Sequence, residues 1–245
     1  MPLRKAKKKS AVQRIKCTAV VPAAGASSRF GETAAGTSKL MAEFFGKPVL
    51  VYALQALQDS QAIDDVVVAA QREMIPVIYE LCKQFALTKV TKIVCGGENR
   101  LQSVRAALQE IDDDVQLVAV HDGARPLVRM ADIDAVVSQA ATYGAAILAV
   151  PLKDTVKEVQ GGLVKHTIQR AKYHAVQTPQ VFDLLVLREA LTRAARLGED
   201  ITDDSMAVER LGVPVHVVSG SYDNIKITTP EDLAVAAALW EEINV

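Results

Sequence analysis

The sequence predicts an α/β fold, a mostly parallel, doubly wound sheet with helices on both faces, and three observations carry it. Short β-branched runs alternate with amphipathic stretches along most of the chain. The runs are apolar nearly throughout, as strands buried on both faces are. Helical stretches open on proline or an acidic first turn, as at Pro48 and at Pro230-Glu231-Asp232.

In chain order, strands are expected at Cys17–Pro22, Asp65–Ala70, Lys89–Cys95, Gln116–His121, Ala145–Val150 and Val213–Val218. Helices are expected at Pro48–Gln58, Pro76–Phe85, Asn99–Glu110, Ala131–Tyr143, Leu184–Leu197, Asp203–Leu211 and Pro230–Glu242. The alternation fails once, between Lys153 and Gln177. There Thr155–Val159 and Leu163–Ile168 flank Gln160-Gly161-Gly162, a hairpin turn signal. The hairpin reads as a projecting arm, at about 152–177, which either packs on its own domain or reaches to another subunit; being too small to bury itself, it favours the second.

The chain has 245 residues, half of them apolar, enough for one large core. With no linker-like interruption or repeat, residues 17–245 read as a single domain. The net charge of −1 is unevenly spread. Met1–Lys16 holds seven Lys/Arg and no acid, leaving 21 basic against 29 acidic residues in the body, near −8. The basic run reads as a disordered tail. The acidic body argues against a nucleic-acid surface. The apolar run after the tail is short, contains Pro22 and lacks a cleavage-like site, and no stretch has the length of a membrane span. Cys17, Cys82 and Cys95 form no CxxC pair and sit in apolar contexts, so they read as reduced core thiols of a cytoplasmic protein. The four histidines have no zinc-ligand spacing.

Ligands of open α/β sheets bind beyond the carboxyl ends of the strands, so the chemistry is sought there. After the first strand comes PAAGASSRFG and then Lys39. Its small residues, Ala23, Ala24, Gly25 and Ser27 among them, let backbone amides approach a phosphate, with Arg29 and Lys39 as flanking cations. Neither GxGxxG nor GxxxxGK[ST] is present. After the third strand, GGENRLQS opens a helix whose N-terminus suits an anion or a polar base edge; Glu98-Asn99 is equally an ordinary cap. After the fourth, HDGARP presents Asp122 in the way a carboxylate meets a divalent cation, though Arg125 can also neutralise it as a structural pair. Asp223-Asn224-Ile225-Lys226 adds a second acid and another cation at the same edge. Cations and a metal around a polyphosphate are what nucleotidyl transfer needs, with little covalent work for the protein.

These motifs, in order, resemble the 2-C-methyl-D-erythritol 4-phosphate cytidylyltransferases of non-mevalonate isoprenoid synthesis. The resemblance covers PAAG with Arg29, KPVL, GGENRLQSV, HDGARP, PLKDTVK, Arg170 upstream of QTPQ, ITDDS and DNIK. It implies a Rossmann-like fold of the nucleotide-diphospho-sugar transferase type. It implies that Ala23, Ala24, Gly25 and Ser27 line the triphosphate loop and that Gly97, Glu98 and Ser103 read the cytosine, with Asp122 and Gly123 also at CTP. Arg29 and Lys39 become the catalytic cations. Arg125, Thr155, Arg170, Thr178, Thr202 and Lys226 become acceptor-binding, and Asp122 with Asp223 the carboxylates for Mg2+ or another divalent cation. The resemblance also implies a homodimer crossed by the arm, in which Arg170 serves the neighbour's site. One departure is Ser27, where many members have glycine.

The reaction so implied is transfer of CMP from CTP to a polyol phosphate. Ribitol 5-phosphate is the alternative acceptor. Ala124 argues against it, because the ribitol-type enzymes carry a bulkier residue there. A non-catalytic nucleotide-sensing module is the alternative of another class, and the presence of Arg29, Lys39 and Asp122 argues against it.

Overall fold

The computed structural model describes residues 14–25 and 38–244. Ser27 and Arg29, and residues 1–13 of the expected tail, lie outside the described residues. The described elements run β1 (Cys17–Ala23), β2 (Glu43–Phe44), β3 (Lys47–Pro48), α1 (Val49–Asp59), β4 (Asp65–Ala70), α2 (Ile75–Gln84), β5 (Val90–Cys95), α3 (Arg100–Leu108), β6 (Leu117–Val120), α4 (Met130–Tyr143), β7 (Ala145–Pro151), β8 (Lys157–Gln160), β9 (Leu163–Thr167), β10 (His174–Asp183), α5 (Leu184–Leu197), α6 (Asp204–Glu209), β11 (His216–Ser219) and α7 (Pro230–Asn244).

A seven-stranded sheet has the order β11-β7-β10-β6-β1-β4-β5. All its pairings are parallel except those of β10, which runs antiparallel to both β6 and β7. Strand periodicity of two divides the core. Cys17, Ala19, Val21 and Ala23 of β1 face one cluster with Leu50 and Leu54 of α1, Ile78 of α2 and Ile133 of α4. Val20 faces the other, with Val104 of α3, Leu187 of α5 and Val208 of α6. Each such fully buried aliphatic side chain contributes roughly 1.5–3 kcal/mol, so both faces hold the sheet and its carboxyl edge rigidly. This is the Rossmann-like, doubly wound arrangement expected.

Strand β10 was not anticipated. It fills the slot between β6 and β7, and its register shifts between Val176 and Gln180, the stretch containing Pro179. Because Gln180 pairs with Val120, the segment Gln177–Thr178 lies beside His121–Asp122 at the carboxyl end of β6.

The expected hairpin is present as β8 and β9, antiparallel, with Gly161 and Gly162 at φ +59° and +78°. Two consecutive positive φ values are what a two-residue type I′ turn requires, and glycine adopts them without strain. Every residue from Lys153 to Val176 except Ile168 is exposed, so the arm does not pack on its own body.

Two expectations need correction. The tail was drawn to residue 16, but Arg14 pairs with Asp64 at 3.2 Å and the Lys16 N–H donates to Gln116 Oε1 at 2.7 Å, so 14–16 belong to the body. Cys95 is exposed rather than a core thiol, because it ends the edge strand β5; Cys17 is buried, Cys82 half-buried, and all three are free. No helix among the described residues is long and apolar enough to cross a membrane.

Candidate active site

Two cavities open at the carboxyl edge of the sheet. The first is lined by Ala23, Ala24 and Gly25 after β1, by Lys39, by Gly97, Glu98 and Ser103 around the start of α3, and by Gly123. The second is lined by Arg125, Thr178 and Thr202, with Gln177, Gln180 and Asp203. Arg100, Asp122 and Lys226 line both, forming a charged wall between them.

Close backbone approach builds the first cavity. A Cβ on Gly96 would lie 2.5 Å from Ala24 Cβ, and one on Gly97 would lie 2.3 Å from Gln102 Cβ. Gly123 is as tightly placed, with Leu50 Cδ1 at 2.8 Å from its would-be Cβ. A Cβ on Gly25 would meet nothing within 4 Å among the described residues. Ser103 is buried, and its Oγ accepts from the Gly97 N–H at 3.1 Å and donates to the Asn99 carbonyl at 2.9 Å. Asn99 caps α3 by accepting from the Gln102 N–H, so the capping reading of Glu98-Asn99 holds for Asn99. Glu98 is exposed at the cavity rim.

The wall is built around Asp122. Lys226 Nζ stands 2.9 Å from its Oδ2, Arg125 Nε 3.6 Å from Oδ2 and Arg100 Nε 3.5 Å from Oδ1. Burial alone would push this carboxyl up, but Arg100, Lys226 and Arg125 together hold it well below the usual carboxylate range. Arg125 pairs with Asp122, as the structural reading expected, and it also lines the second cavity. Backbone ties fix the wall. The Ile227 N–H donates to the Ala124 carbonyl at 2.8 Å, Arg125 Nη1 donates to the Asn224 carbonyl at 2.6 Å, and Asn224 Nδ2 donates to the Thr178 carbonyl at 2.9 Å. Ile227 is fully buried against Phe44, Tyr52 and α7, which anchors Lys226 beside it.

Behind the wall, the Asp122 N–H donates to Thr178 Oγ1 at 3.0 Å, and Thr178 Oγ1 pairs with His121 Nδ1 at 3.1 Å. His121 Nε2 faces the Arg125 carbonyl at 3.3 Å, which can only accept, so Nε2 carries the proton and Nδ1 accepts from Thr178. Burial holds the imidazole down at about 4, neutral at ordinary pH.

Ala23, Ala24, Gly25, Lys39, Gly97, Glu98, Ser103, Asp122, Gly123, Arg125, Thr178, Thr202 and Lys226 thus line one or both of the two cavities. Thr155 and Arg170 do not: both are exposed on the arm, and Arg170 Nη1 donates to the Lys153 carbonyl. Asp223 is a correction. It lines neither cavity, and its carboxylate is held by Arg129 and by Ser221 Oγ. The residue type and position had suggested a metal ligand; the turn directs the side chain to a surface arginine instead.

Sequence reasoning missed Arg100 and Asp204. Arg100 Nη1 donates to the Asp204 carboxylate, which is 1% exposed. Burial pushes the Asp204 carboxyl up and Arg100 opposes that shift. Both residues stand inside motifs, GGENR and ITDDS, but nothing local in either motif points to the partner in the other.

For a magnesium ion, the donor set suits a one-carboxylate site. Among the described residues no three His, Cys, Asp or Glu side chains cluster, but Asp122 Oδ1 has only the 3.5 Å ion pair with Arg100. One carboxylate with substrate phosphates and waters is a normal magnesium shell.

Residues 17–242 match the family model described as 2-C-methyl-D-erythritol 4-phosphate cytidylyltransferase. A protein of that name from Pelotomaculum thermopropionicum is 46% identical over 226 residues, 91% of this chain and 94% of the relative. Its namesake from Halalkalibacterium halodurans is 43% identical over 223 residues, 91% of this chain and 96% of the relative. The solved 4-diphosphocytidyl-2C-methyl-D-erythritol synthase of Anaerococcus prevotii has a TM-score of 0.81 at 27% identity, covering 94% of this chain and 100% of that one. The 2-C-methyl-D-erythritol 4-phosphate cytidylyltransferase structure from Thermus thermophilus has a TM-score of 0.74 at 31% identity, covering 91% and 98%. With the motifs, the sheet and the two cavities in agreement, the chain belongs to the 2-C-methyl-D-erythritol 4-phosphate cytidylyltransferase family.

Proposed function

We propose that this protein transfers CMP from CTP to 2-C-methyl-D-erythritol 4-phosphate, releasing pyrophosphate, as a step of isoprenoid synthesis. The observation that carries the reading is the charged wall of Arg100, Asp122 and Lys226 shared by two cavities. CTP occupies the first cavity. Its base meets the turn at Gly97–Ser103, and its triphosphate meets the backbone of Ala23–Gly25 and the Lys39 side chain, with Ser27 and Arg29 of the same loop. The acceptor occupies the second, its phosphate toward Lys226 and Arg125 and its hydroxyls toward Thr178 and Thr202.

A phosphate oxygen of the acceptor attacks the α-phosphorus in line. The new O–P bond forms as the bond from the α-phosphorus to the bridging oxygen breaks, and pyrophosphate leaves with that electron pair. No proton is required of the protein, because the attacking phosphate is already ionised. What the protein supplies is positioning and positive charge at the five-coordinate phosphorus, from Lys39, Lys226 and Arg29. Asp122, together with the triphosphate, would hold a magnesium ion, which would supply further charge neutralisation for the leaving pyrophosphate.

The exposed arm supports a homodimer in which Arg170 and Thr155 reach the partner's acceptor cavity. Free thiols at Cys17, Cys82 and Cys95 suit the cytoplasm. The test is pyrophosphate release from CTP with methylerythritol phosphate or ribitol 5-phosphate, with and without magnesium. Release with ribitol phosphate alone overturns the acceptor, and release with neither leaves only a binding module. Release undiminished by chelation removes the metal. A monomer in sedimentation at assay concentration removes the arm from the site.

A further inference from the structure

We propose that Arg100, acting through Asp204, is a positioning residue that locks the acceptor cavity to the start of the donor-side helix. The proposal rests on the functional reading above, which assigns the two cavities to donor and acceptor.

Thr202 lines the acceptor cavity from the turn just before α6. α6 has only six residues, and Ala207 and Val208 bury its apolar face in the core it shares with α3 and α5. The turn itself is held by polar contacts from two sides. On the β10 side, Gln180 Nε2 donates to Asp203 Oδ2 at 2.7 Å, and Gln180 Oε1 accepts from the Ser205 N–H at 3.0 Å. Asp203 closes the first turn by accepting from the Met206 N–H at 3.0 Å. On the α3 side, the Arg100 guanidinium holds the buried Asp204 carboxylate.

Arg100 is the first residue of α3, three positions after Gly97, and its Nε also faces Asp122. One planar guanidinium therefore spans a carboxylate of the shared wall and a carboxylate of the acceptor helix. Its fork geometry lets it hold both at once, which a lysine point charge does not reproduce. Any shift of the α3 N-terminus reaches Thr202 through this pair. An Asp204 left without Arg100 would lose its compensating charge, so the buried carboxyl must take up a proton or the α6 turn must move to solvate it, and either change breaks the tie.

The test compares wild type with Asp204→Asn, Arg100→Gln and Arg100→Lys, using pyrophosphate release over a grid of CTP and acceptor concentrations. Asp204→Asn keeps the side-chain shape and removes the charge, and it is expected to raise the acceptor KM about tenfold while the CTP KM moves less than about twofold. Arg100→Lys is expected to recover less than half of what Arg100→Gln loses on the acceptor side. Amide hydrogen exchange at Ser205 and Met206 is expected to quicken in Asp204→Asn. Unchanged acceptor KM, whatever the exchange rates do, overturns the proposal, because the pair would then be structural only. Equal rises in both KM values also overturn it. Wild-type protein that releases no pyrophosphate sinks the functional reading instead; calorimetric binding of methylerythritol phosphate to wild type and Asp204→Asn then decides this proposal by itself, and equal affinities overturn it.

Discussion

Lys226 Nζ lies 2.9 Å from Asp122 Oδ2, and both side chains line both cavities. A lysine that served only to neutralise Asp122 would be redundant, since Arg100 and Arg125 already face the same carboxylate. Its half-exposed ammonium is instead placed to meet an incoming phosphate. Lys226→Met is expected to lower kcat/KM for the acceptor by about 100-fold or more, in line with removing one preorganised charge from a transition state. The CTP KM should move much less. An acceptor kcat/KM within a few-fold of wild type would return Lys226 to a structural ion pair.

Lys39 follows the end of the donor loop and lines the first cavity without lining the second. Its charge matters most when negative charge accumulates at the α-phosphorus. Lys39→Ala is expected to cut kcat about 100-fold and to change the CTP dissociation constant far less. Steady-state kinetics combined with equilibrium binding of CTP separates the two. Unchanged turnover with weakened CTP binding would make Lys39 a ground-state anchor.

Gly25, which lines the donor cavity, and Gly96, which packs behind it on Ala24 and Ser103, should respond differently to alanine. At Gly96 the new Cβ would lie 2.5 Å from Ala24 Cβ and 3.0 Å from Ser103 Oγ, so the loop or α3 must shift. Gly96→Ala is expected to cost about 1–3 kcal/mol of stability, as overpacking does, and to raise the CTP KM. At Gly25 the Cβ meets nothing within 4 Å among the described residues. Gly25→Ala is therefore expected to leave the melting temperature nearly unchanged while still weakening CTP binding, because the ligand's phosphate would meet the new methyl. Thermal melts and CTP titrations of both variants check the contrast. A destabilised Gly25→Ala with normal CTP affinity would contradict it.

Most of the parallel sheet was legible because apolar runs such as Val66–Ala70 admit few other readings, and α5 matched its expected bounds between the Asp183 cap and Gly198 in the left-handed region. Strand β10 was hidden for a physical reason. Gln177, Thr178, Pro179 and Gln180 are polar or unable to donate to a ladder, and such a run reads as a loop. The fold tolerates them in its centre because Gln177 Nε2 donates to the Ser221 carbonyl at 2.7 Å, Thr178 bridges Asp122 and His121, and the register shift accommodates Pro179. β11 began later than expected, at His216, past Pro214. The site was legible wherever a strand end announced it. Arg100 and Asp204 were not, because their meaning lies in a contact across 104 positions of sequence.

His121 gives the fold a pH dependence with a definite sign. In the folded state burial holds its pKa at about 4, with Asp122 pulling it up and Arg125 pushing it down. In the unfolded chain it titrates near the ordinary value of about 6.5. Between these limits the unfolded state binds the extra proton, so stability rises with pH across that window and is lost as pH falls from about 6.5 towards about 4. The loss approaches roughly 3 kcal/mol over the whole window. Asp122, held low, adds a loss in the same direction only below the usual carboxylate range, whereas Asp204, held high, acts in the opposite direction. Both carboxylates are retained in His121→Asn, so the difference between that variant and wild type isolates the imidazole. Urea unfolding is expected to show wild type losing about 2 kcal/mol between pH 7.5 and pH 5 beyond any loss in the variant. The variant should be less stable at pH 7.5, having lost the hydrogen bonds to Thr178 and the Arg125 carbonyl, but flatter in pH. Parallel pH profiles for the two proteins would show that His121 is not held neutral in the folded state.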